Sequence, residues 1–365
     1  MLTIIQGKGT LPREEAGRNI NYDNKSLSNY KQVKKGDFII HLRSFEGGLE
    51  MANELGIVSP AYTILRNKKT ISNGFYREYF HTDEFINHIL AKSVEGIRDG
   101  RQINYNTFKL LKIPYCNIAE QEKISRLFSI LNKRIEKQKQ LVNAIKKYKR
   151  GLSNKLFEDY SNNWTAANFV DVFKILQNNT FSRAELTFEK TEILNIHYGD
   201  VLIKYGDILD LSRACDIPFI KNNIDLKRYS ETSYLKNGDV VIADTAEDYT
   251  VGKTIEIFSA SGKRMLAGLH TIPCRPLIPF EAKYLGYYLN SYNFRKQILP
   301  LIQGTKVSSI SKSELQKVKV KYPEQKEQKR IVSILSLIDE KIYIAEHQLT
   351  ALKICKNGLL QQLFI

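Results

Sequence analysis

From Ile124 onward, a stripe of positions recurs at alternating steps of four and three: Ile124, Phe128, Leu131, Ile135, Gln138, Val142, Ile145, Lys149, Leu152 and Leu156. Such spacing holds one stripe on one side of a helix, the seam of a coiled coil. Eight of the ten are apolar, and no proline interrupts the span. At about 1.5 Å per residue, this helix is about 50 Å long. The stripe returns 207 residues later as Ile331, Leu335, Ile338, Ile342, Ala345, Leu349, Leu352, Lys356, Leu359 and Leu363, of which nine are apolar. Lys149 and Lys356 break both seams at the same register, and Gly151 and Gly358 fall late in each. Across 112–157 and 319–364 there are 14 identities without a gap, among them Glu120-Gln121 with Glu327-Gln328 and Leu156-Phe157 with Leu363-Phe364.

A helix with one apolar stripe needs a partner, and the most economical is its own copy. The expectation is an intramolecular antiparallel coiled coil with pseudo-twofold symmetry. It holds two globular units apart as a fixed spacer, and about 50 Å corresponds to roughly 15 base pairs of duplex DNA.

The segments in front of the helices are related more weakly. Lys35-Gly36-Asp37-Phe38-Ile39-Ile40 resembles Asn237-Gly238-Asp239-Val240-Val241-Ile242, a turn entering a β-branched strand. An aromatic-rich helix is predicted over 76–91 and again over 282–298. Glycine turns follow, with 96–103 set against 302–309. Each unit reads as mixed α/β. The division is 1–111, a first recognition unit; 112–160, a helical spacer; 161–318, a second recognition unit; and 319–365, a second spacer. The first unit has a shorter front, lacking a counterpart of 164–201. Between the shared framework positions the polar residues differ: His41-Leu42-Arg43-Ser44-Phe45-Glu46 stands against Ala243-Asp244-Thr245-Ala246-Glu247-Asp248. Scaffold carries stability and loops carry recognition, so two readers with different loops read two different half-sites.

The formal net charge of +16 favours a polyanionic partner, nucleic acid before an anionic membrane surface. No apolar run approaches the roughly 18 residues of a membrane span, and the N-terminus lacks a signal-peptide pattern. Cys116, Cys215, Cys274 and Cys355 are scattered, so a reduced, cytoplasmic setting is expected without zinc or disulfides. The six histidines show no metal-ligand spacing. Val251-Gly252-Lys253-Thr254 contains GKT, but Glu247 occupies the position where a phosphate-binding loop needs its first glycine. No adenine-methyltransferase (N/D)PPY signature occurs. These absences favour a binding subunit over a self-contained nuclease or methyltransferase. An anion-binding coiled-coil protein without sequence specificity is the other competing reading.

Basic and amide side chains beside turns reach phosphates and base edges. The candidates are Arg43, Arg98, Arg101 and Gln102 in the first unit, and Lys204, Tyr205, Arg213, Gln303, Lys306 and Ser308 in the second. The first helix is strongly basic through Lys133, Arg134, Lys137, Lys139, Lys146, Lys147, Lys149 and Arg150. That face either tracks DNA, meets an acidic partner, or is simply solvated.

Two α/β units, each followed by a helix entered through Ala119-Glu120-Gln121-Glu122-Lys123-Ile124 or Lys326-Glu327-Gln328-Lys329-Arg330-Ile331, resemble the DNA-specificity subunit of type I restriction–modification systems. The two Gly-Asp strands and Ile57-Val58-Ser59-Pro60-Ala61-Tyr62 also look like this family. The resemblance implies a non-catalytic subunit that binds an asymmetric bipartite DNA target. It implies recruitment of two methyltransferase subunits and of restriction–translocase subunits, in phage defence. Those partners, rather than this chain, would use S-adenosylmethionine, ATP and Mg²⁺ to methylate adenine and cut unmethylated DNA. The repeated helices, with Ile124, Leu131, Ile135, Ile145, Leu152, Leu156, Ile331, Ile338, Ile342, Leu349, Leu352 and Leu363, are the expected docking surface.

Overall fold

The structure, a computed structural model, describes residues 1–17, 24–159, 164–213, 216–304 and 307–364. It divides into two compact units. One is Met1–Val142 with Ala345–Ile365, and the other is Asn143–Ile344. Each unit contains one strand-bearing body, half of one long helix and half of the other.

The long helices are Ile118–Asp159 and Gln325–Leu363, of 42 and 39 residues. At about 1.5 Å per residue they run about 63 and 59 Å, longer than the seam alone suggests. The first starts early because the Asn117 side chain accepts the Glu120 N–H at 2.9 Å, capping the first turn.

In the first unit the helix halves run antiparallel. Gln138 Nε2 donates to the Ala345 carbonyl at 2.9 Å, and the Phe128 and Phe364 rings stack at 5.9 Å. In the second, Lys149 Nζ lies 2.6 Å from Asp339, while Leu152, Leu156, Ile331 and Leu335 share one apolar cluster. Every seam position is buried or half-buried except Leu363, which is 38% exposed. Phe364 takes its place, packing at 4.9 Å from Phe75 and 5.7 Å from Tyr79. A 3.5-residue repeat drifts by about 20° per heptad against a 3.6-residue helix, so by the last turn the next residue faces the body. In the second unit Phe157 also faces the body, fully buried 5.7 Å from Tyr288, while its seam neighbour Leu156 stays buried too.

The central body of the second unit is a five-stranded sheet. Its order is Phe173–Ile175, Thr271–Pro276, Val240–Ala243, Thr254–Phe258 and Ile208–Asp210, with the last pair parallel. Val240–Ala243 is buried throughout, as expected of a strand covered on both faces. A second sheet of four strands packs nearby, and Thr165–Asn168 pairs antiparallel with Lys319–Tyr322. The first unit keeps the middle of the large sheet: Glu50–Met51, Phe38–Ile40 and Thr63–Leu65, all antiparallel. Its front is a hairpin, Leu2–Ile5 with Gly9–Pro12. The buried Glu50 carboxylate accepts the Gly7 and Gly9 N–H groups of that turn and meets His81 Nε2 at 3.0 Å.

The Gly-Asp similarity has a physical basis. Asp37 accepts the Lys34 N–H and pairs with Arg66, and Asp239 accepts the Lys236 N–H and pairs with Arg275. Gly36 and Gly238 adopt φ of +92° and +82°. The Glu-Gln pair is explained too. Gln121 accepts the Ser72 N–H and donates to the Cys116 carbonyl, while Gln328 accepts the Glu281 N–H and donates to the Pro323 carbonyl. Both glutamines are buried, so each fastens its helix start to its own body.

One expectation is corrected. The aromatic segments are not single helices. Asn73–Tyr79 gives way at Thr82, and Tyr284–Asn290 gives way to Tyr292–Ile298 at Ser291. Thr82 Oγ1 donates to the Tyr79 carbonyl and accepts the Phe85 N–H, and Ser291 Oγ makes the same pair of bonds with Tyr288 and Phe294. A hydroxyl that caps locally competes with helix continuation.

Candidate nucleic-acid interface

In the first unit, the loop after Phe38–Ile40, the start of Thr63–Leu65 and the hairpin of Val94–Glu95 with Gln102–Ile103 enclose a concavity of about 510 Å³. Arg43, Arg98, Arg101 and Gln102 all line it, so the four residues chosen from sequence meet at one place. Glu46 lies between two of the arginines, 3.5 Å from Arg43 and 3.7 Å from Arg101. The Arg101 guanidinium sits 4.7 Å over the Phe45 ring, which orients it without consuming its charge. Gly96, at φ +91°, lets the hairpin close, since a Cβ there would lie 2.3 Å from the Gly100 carbonyl oxygen. Arg98 itself adopts φ +52°, at the hairpin tip.

Sequence reasoning missed His41. Burial pulls its imidazolium below the usual range, and Nδ1 accepts the Arg43 N–H at 3.3 Å. The proton of the neutral ring therefore sits on Nε2, which is buried and has no hydrogen-bond partner among the described residues. The ring lines the same concavity. The only signal in sequence was a histidine directly after a buried strand.

The second unit builds its loops at the same positions in the fold, from different side chains. Thr245–Ala246 pairs with Ser308–Ser309, and Gln303 bridges Ser309 through two main-chain bonds of 2.9 and 2.8 Å. Gly304, at φ +109°, corresponds to Gly96, because its Cβ would meet the Val307 carbonyl at 2.0 Å. The repeat register at this hairpin is thus two residues away from the one read in sequence, where Gly96 stood opposite Ile302. Asp244 lies 3.5 Å from His270, and Tyr198 packs edge-on to His270 at 5.3 Å. The first unit's face is arginine-rich, whereas this one presents amides, hydroxyls, a histidine and a carboxylate.

The remaining second-unit candidates separate. Tyr205 is a correction: it is 8% exposed within an apolar cluster, and burial pushes its phenol well up, so it presents no surface group. A tyrosine after a basic residue reads alike in sequence whether it faces in or out. Lys204 is exposed and donates to the Asp216 carbonyl. Arg213 lies 2.6 Å from Glu340 and 4.8 Å over Tyr343, both on the second long helix, so it ties its loop to that helix. Lys306 lies outside the described residues. The Gly252-Lys253 turn holds no phosphate cradle, since Lys253 Nζ donates to the Leu202 and Tyr205 carbonyls.

The seam residues are likewise corrected as a docking surface, because their side chains pack within the units and leave little to offer a partner. The outward faces instead expose apolar side chains at repeat-related positions. Ile130 and Leu337, 207 residues apart, are 58% and 67% exposed. Among the described residues no group of three or more His, Cys, Asp or Glu could hold a metal ion. No described helix is long and apolar enough to cross a membrane.

Residues 162–353, more than half the chain, match the family described as the type I restriction modification DNA specificity domain. The chain is 21% identical over 352 residues to the type I restriction enzyme MjaVIII specificity subunit of Methanocaldococcus jannaschii, covering 91% of this chain and 79% of that protein. Two solved structures share the fold. One comes from work on complex assembly and conformational transition of the type I R-M system, at TM-score 0.55 and 17% identity, covering 92% of this chain and 83% of the other. The second is a type I restriction–modification S subunit from M. genitalium, at TM-score 0.53 and 16% identity, covering 92% and 84%.

Proposed function

The chain belongs to the type I restriction–modification DNA specificity family, and from that premise we propose that each unit reads one half of a bipartite duplex target. The observation that carries this reading is the pair of loop clusters at equivalent positions on a shared framework, one arginine-rich and one that presents, among the described residues, amides, hydroxyls, a histidine and a carboxylate. Equivalent position gives each cluster the same approach to DNA, and different side chains give each a different sequence. Arg98 and Arg101 suit phosphate or guanine, and Gln102 and Gln303 suit adenine edges.

The long helices serve as the spacer and as the docking surface for two methyltransferase subunits. Ile130 and Leu337 support this, since repeat-related apolar residues give two like partners two like sites. Restriction subunits join that assembly. This chain contributes no catalytic step. In the cytoplasm its partners bind S-adenosylmethionine, ATP and Mg²⁺, methylate adenine, and cut unmodified DNA.

Removing one heptad from each helix tests the spacer role. Seven residues are about 10 Å of helix, or roughly three base pairs. The gap of the methylated target should shorten by about that amount. An unchanged gap would remove the spacer from the proposal. The purified chain with S-adenosylmethionine and Mg²⁺ should leave DNA unmodified, and methylation by the chain alone would overturn the non-catalytic assignment.

A further inference from the structure

Glu46 is the odd member of the arginine-rich concavity. A surface that only gripped phosphates would gain nothing from a carboxylate between two guanidinium groups, because the carboxylate repels the anion. Yet the fold holds Glu46 there firmly. It sits in the short helix Ser44–Gly47, which is anchored at both ends. The buried Ser44 hydroxyl accepts the His41 N–H at 2.8 Å. Gly48, at φ +84°, turns the chain so closely past the next segment that a Cβ there would run into the Phe80 carbonyl oxygen. Phe45, one residue before Glu46, carries the Arg101 guanidinium on its ring, so one turn places both groups.

Arg101 is held on two sides. Its Nε donates to the Arg98 carbonyl at 3.3 Å, and its plane lies 4.7 Å over Phe45. Its Nη2 stands 3.7 Å from one Glu46 oxygen, and Arg43 Nη1 stands 3.5 Å from the other. Charge-assisted hydrogen bonds run about 2.7–2.9 Å, so neither gap closes one. Arg101 therefore keeps donors, and Glu46 keeps acceptors, for a ligand. The two side chains are 47% and 39% exposed, half-sunk but reachable.

A ligand that satisfies this pair presents two acceptors to the guanidinium and, beside them, a donor to the carboxylate. The major-groove edge of a guanine–cytosine pair does so. Guanine offers N7 and O6, and cytosine N4–H lies next to O6, about 2.9 Å away across the base-pair hydrogen bond. A thymine–adenine pair offers the guanidinium one acceptor, O4, with a methyl group beside it. A phosphate offers acceptors alone and meets Glu46 with like charge.

We infer that Arg101 and Glu46 together read one guanine–cytosine pair in the half-site of the first unit. Arg101 donates to guanine N7 and O6, and Glu46 accepts from cytosine N4. The assignment rests on the half-site reading above and adds the base pair that the first unit requires. Arg43, with 74% of its side chain exposed, and Arg98, at the hairpin tip, stand at the rim and suit phosphates, which fix the register of the duplex.

The test maps adenine methylation in cells that express the full chain with its methyltransferase subunits. One block of the motif should hold a fixed guanine–cytosine pair. Glu46→Ala should loosen that position alone and leave the other block as in wild type, which also shows that the variant folds. The same variant should bind unrelated duplex DNA more tightly, because a repelling charge is gone. With purified complex, replacing that guanine by 7-deazaguanine, which lacks the N7 acceptor, should weaken wild-type binding about tenfold. Arg101→Ala should not distinguish the two duplexes. A two-part motif with no guanine–cytosine pair that responds to Glu46→Ala overturns this assignment and leaves half-site reading intact. So does 7-deazaguanine binding as tightly as guanine, or Arg101→Ala weakening target and unrelated DNA equally, the mark of a phosphate anchor. Absence of any two-part motif overturns both.

Discussion

Replacing Lys149 by methionine should unfold the second unit at distinctly lower denaturant. Lys149 is a charged residue in an apolar seam, and its Nζ lies 2.6 Å from both Asp207 and Asp339, with 15% of its side chain exposed. Burial alone would push its ammonium down, but the two carboxylates outweigh that and hold it above its usual value. Tyr287 adds a ring 5.0 Å from the ammonium and a hydroxyl that donates to Asp339 at 2.7 Å. Methionine preserves the stem and removes the charge, leaving two carboxylates facing each other. Breaking a buried ion pair costs about 3–5 kcal/mol. Asp207 and Asp339 keep 25% and 35% of their side chains in solvent, which lowers the expectation to about 2–4 kcal/mol. The only tryptophan, Trp164, packs 6.1 Å from Phe157 within this unit, so its fluorescence reports this unit selectively. With a urea m-value of about 3 kcal/mol/M, the Trp164 midpoint should fall by roughly 1 M. Adding Asp207→Asn to Lys149→Met should recover about half the loss, because the pair shares one interaction. A midpoint shift under about 0.3 M, or a double variant no better than the single, would refute the reasoning.

Phe364→Ala should destabilise the first unit by about 3 kcal/mol in denaturant titration, whereas Leu363→Ala should cost under about 1 kcal/mol; the reverse order would restore Leu363 to the seam. Arg98→Ala and Arg101→Ala should each weaken duplex binding and, if the side chain meets a phosphate, flatten the log K against log salt slope by about 0.9. Ile130→Asp with Leu337→Asp should abolish co-purification of methyltransferase subunits while leaving thermal stability unchanged. The His81–Glu50 contact should make the front hairpin pH-dependent. Burial opposes charge on both groups, but their mutual hydrogen bond overrides it, raising His81 above 6.5 and lowering Glu50 below 4.5. The stabilisation from His81 is complete below pH 6.5 and lost as pH rises through its raised value, and that from Glu50 is complete above pH 4.5 and lost as pH falls through its lowered value. Protection of the Gly7 and Gly9 amides from hydrogen exchange should therefore peak between about pH 4.5 and 6.5, and His81→Gln should remove the alkaline fall.

Much of this architecture was legible in sequence because it rests on periodicity. The seam from Ile124 to Leu156 and from Ile331 to Leu359 is buried or half-buried at every step, since a 3.5-residue stripe has only one way to find a matching partner. The Gly-Asp turns were visible as a repeated string, although their cause, an arginine clamped by the aspartate, joins residues 29 and 36 positions apart. Failures came where one side chain decides between two conformations. Thr82 and Ser291 end helices that aromatic spacing would continue. Tyr205 and Arg213 look like surface contacts until their burial and ion pairing are known. In the first unit, basic residues beside glycine turns did converge on one concavity, because both turns follow strands whose order was already evident.

We propose that two related units on one helical spacer direct modification to a two-part DNA sequence. Mapping adenine methylation across the genome of cells that express this chain together with its type I methyltransferase subunits tests it most directly. The expected result is one asymmetric motif of two short specific blocks separated by a fixed gap, absent when either this chain or the methyltransferase is omitted. Methylation without a motif, or at a single contiguous sequence, would contradict it.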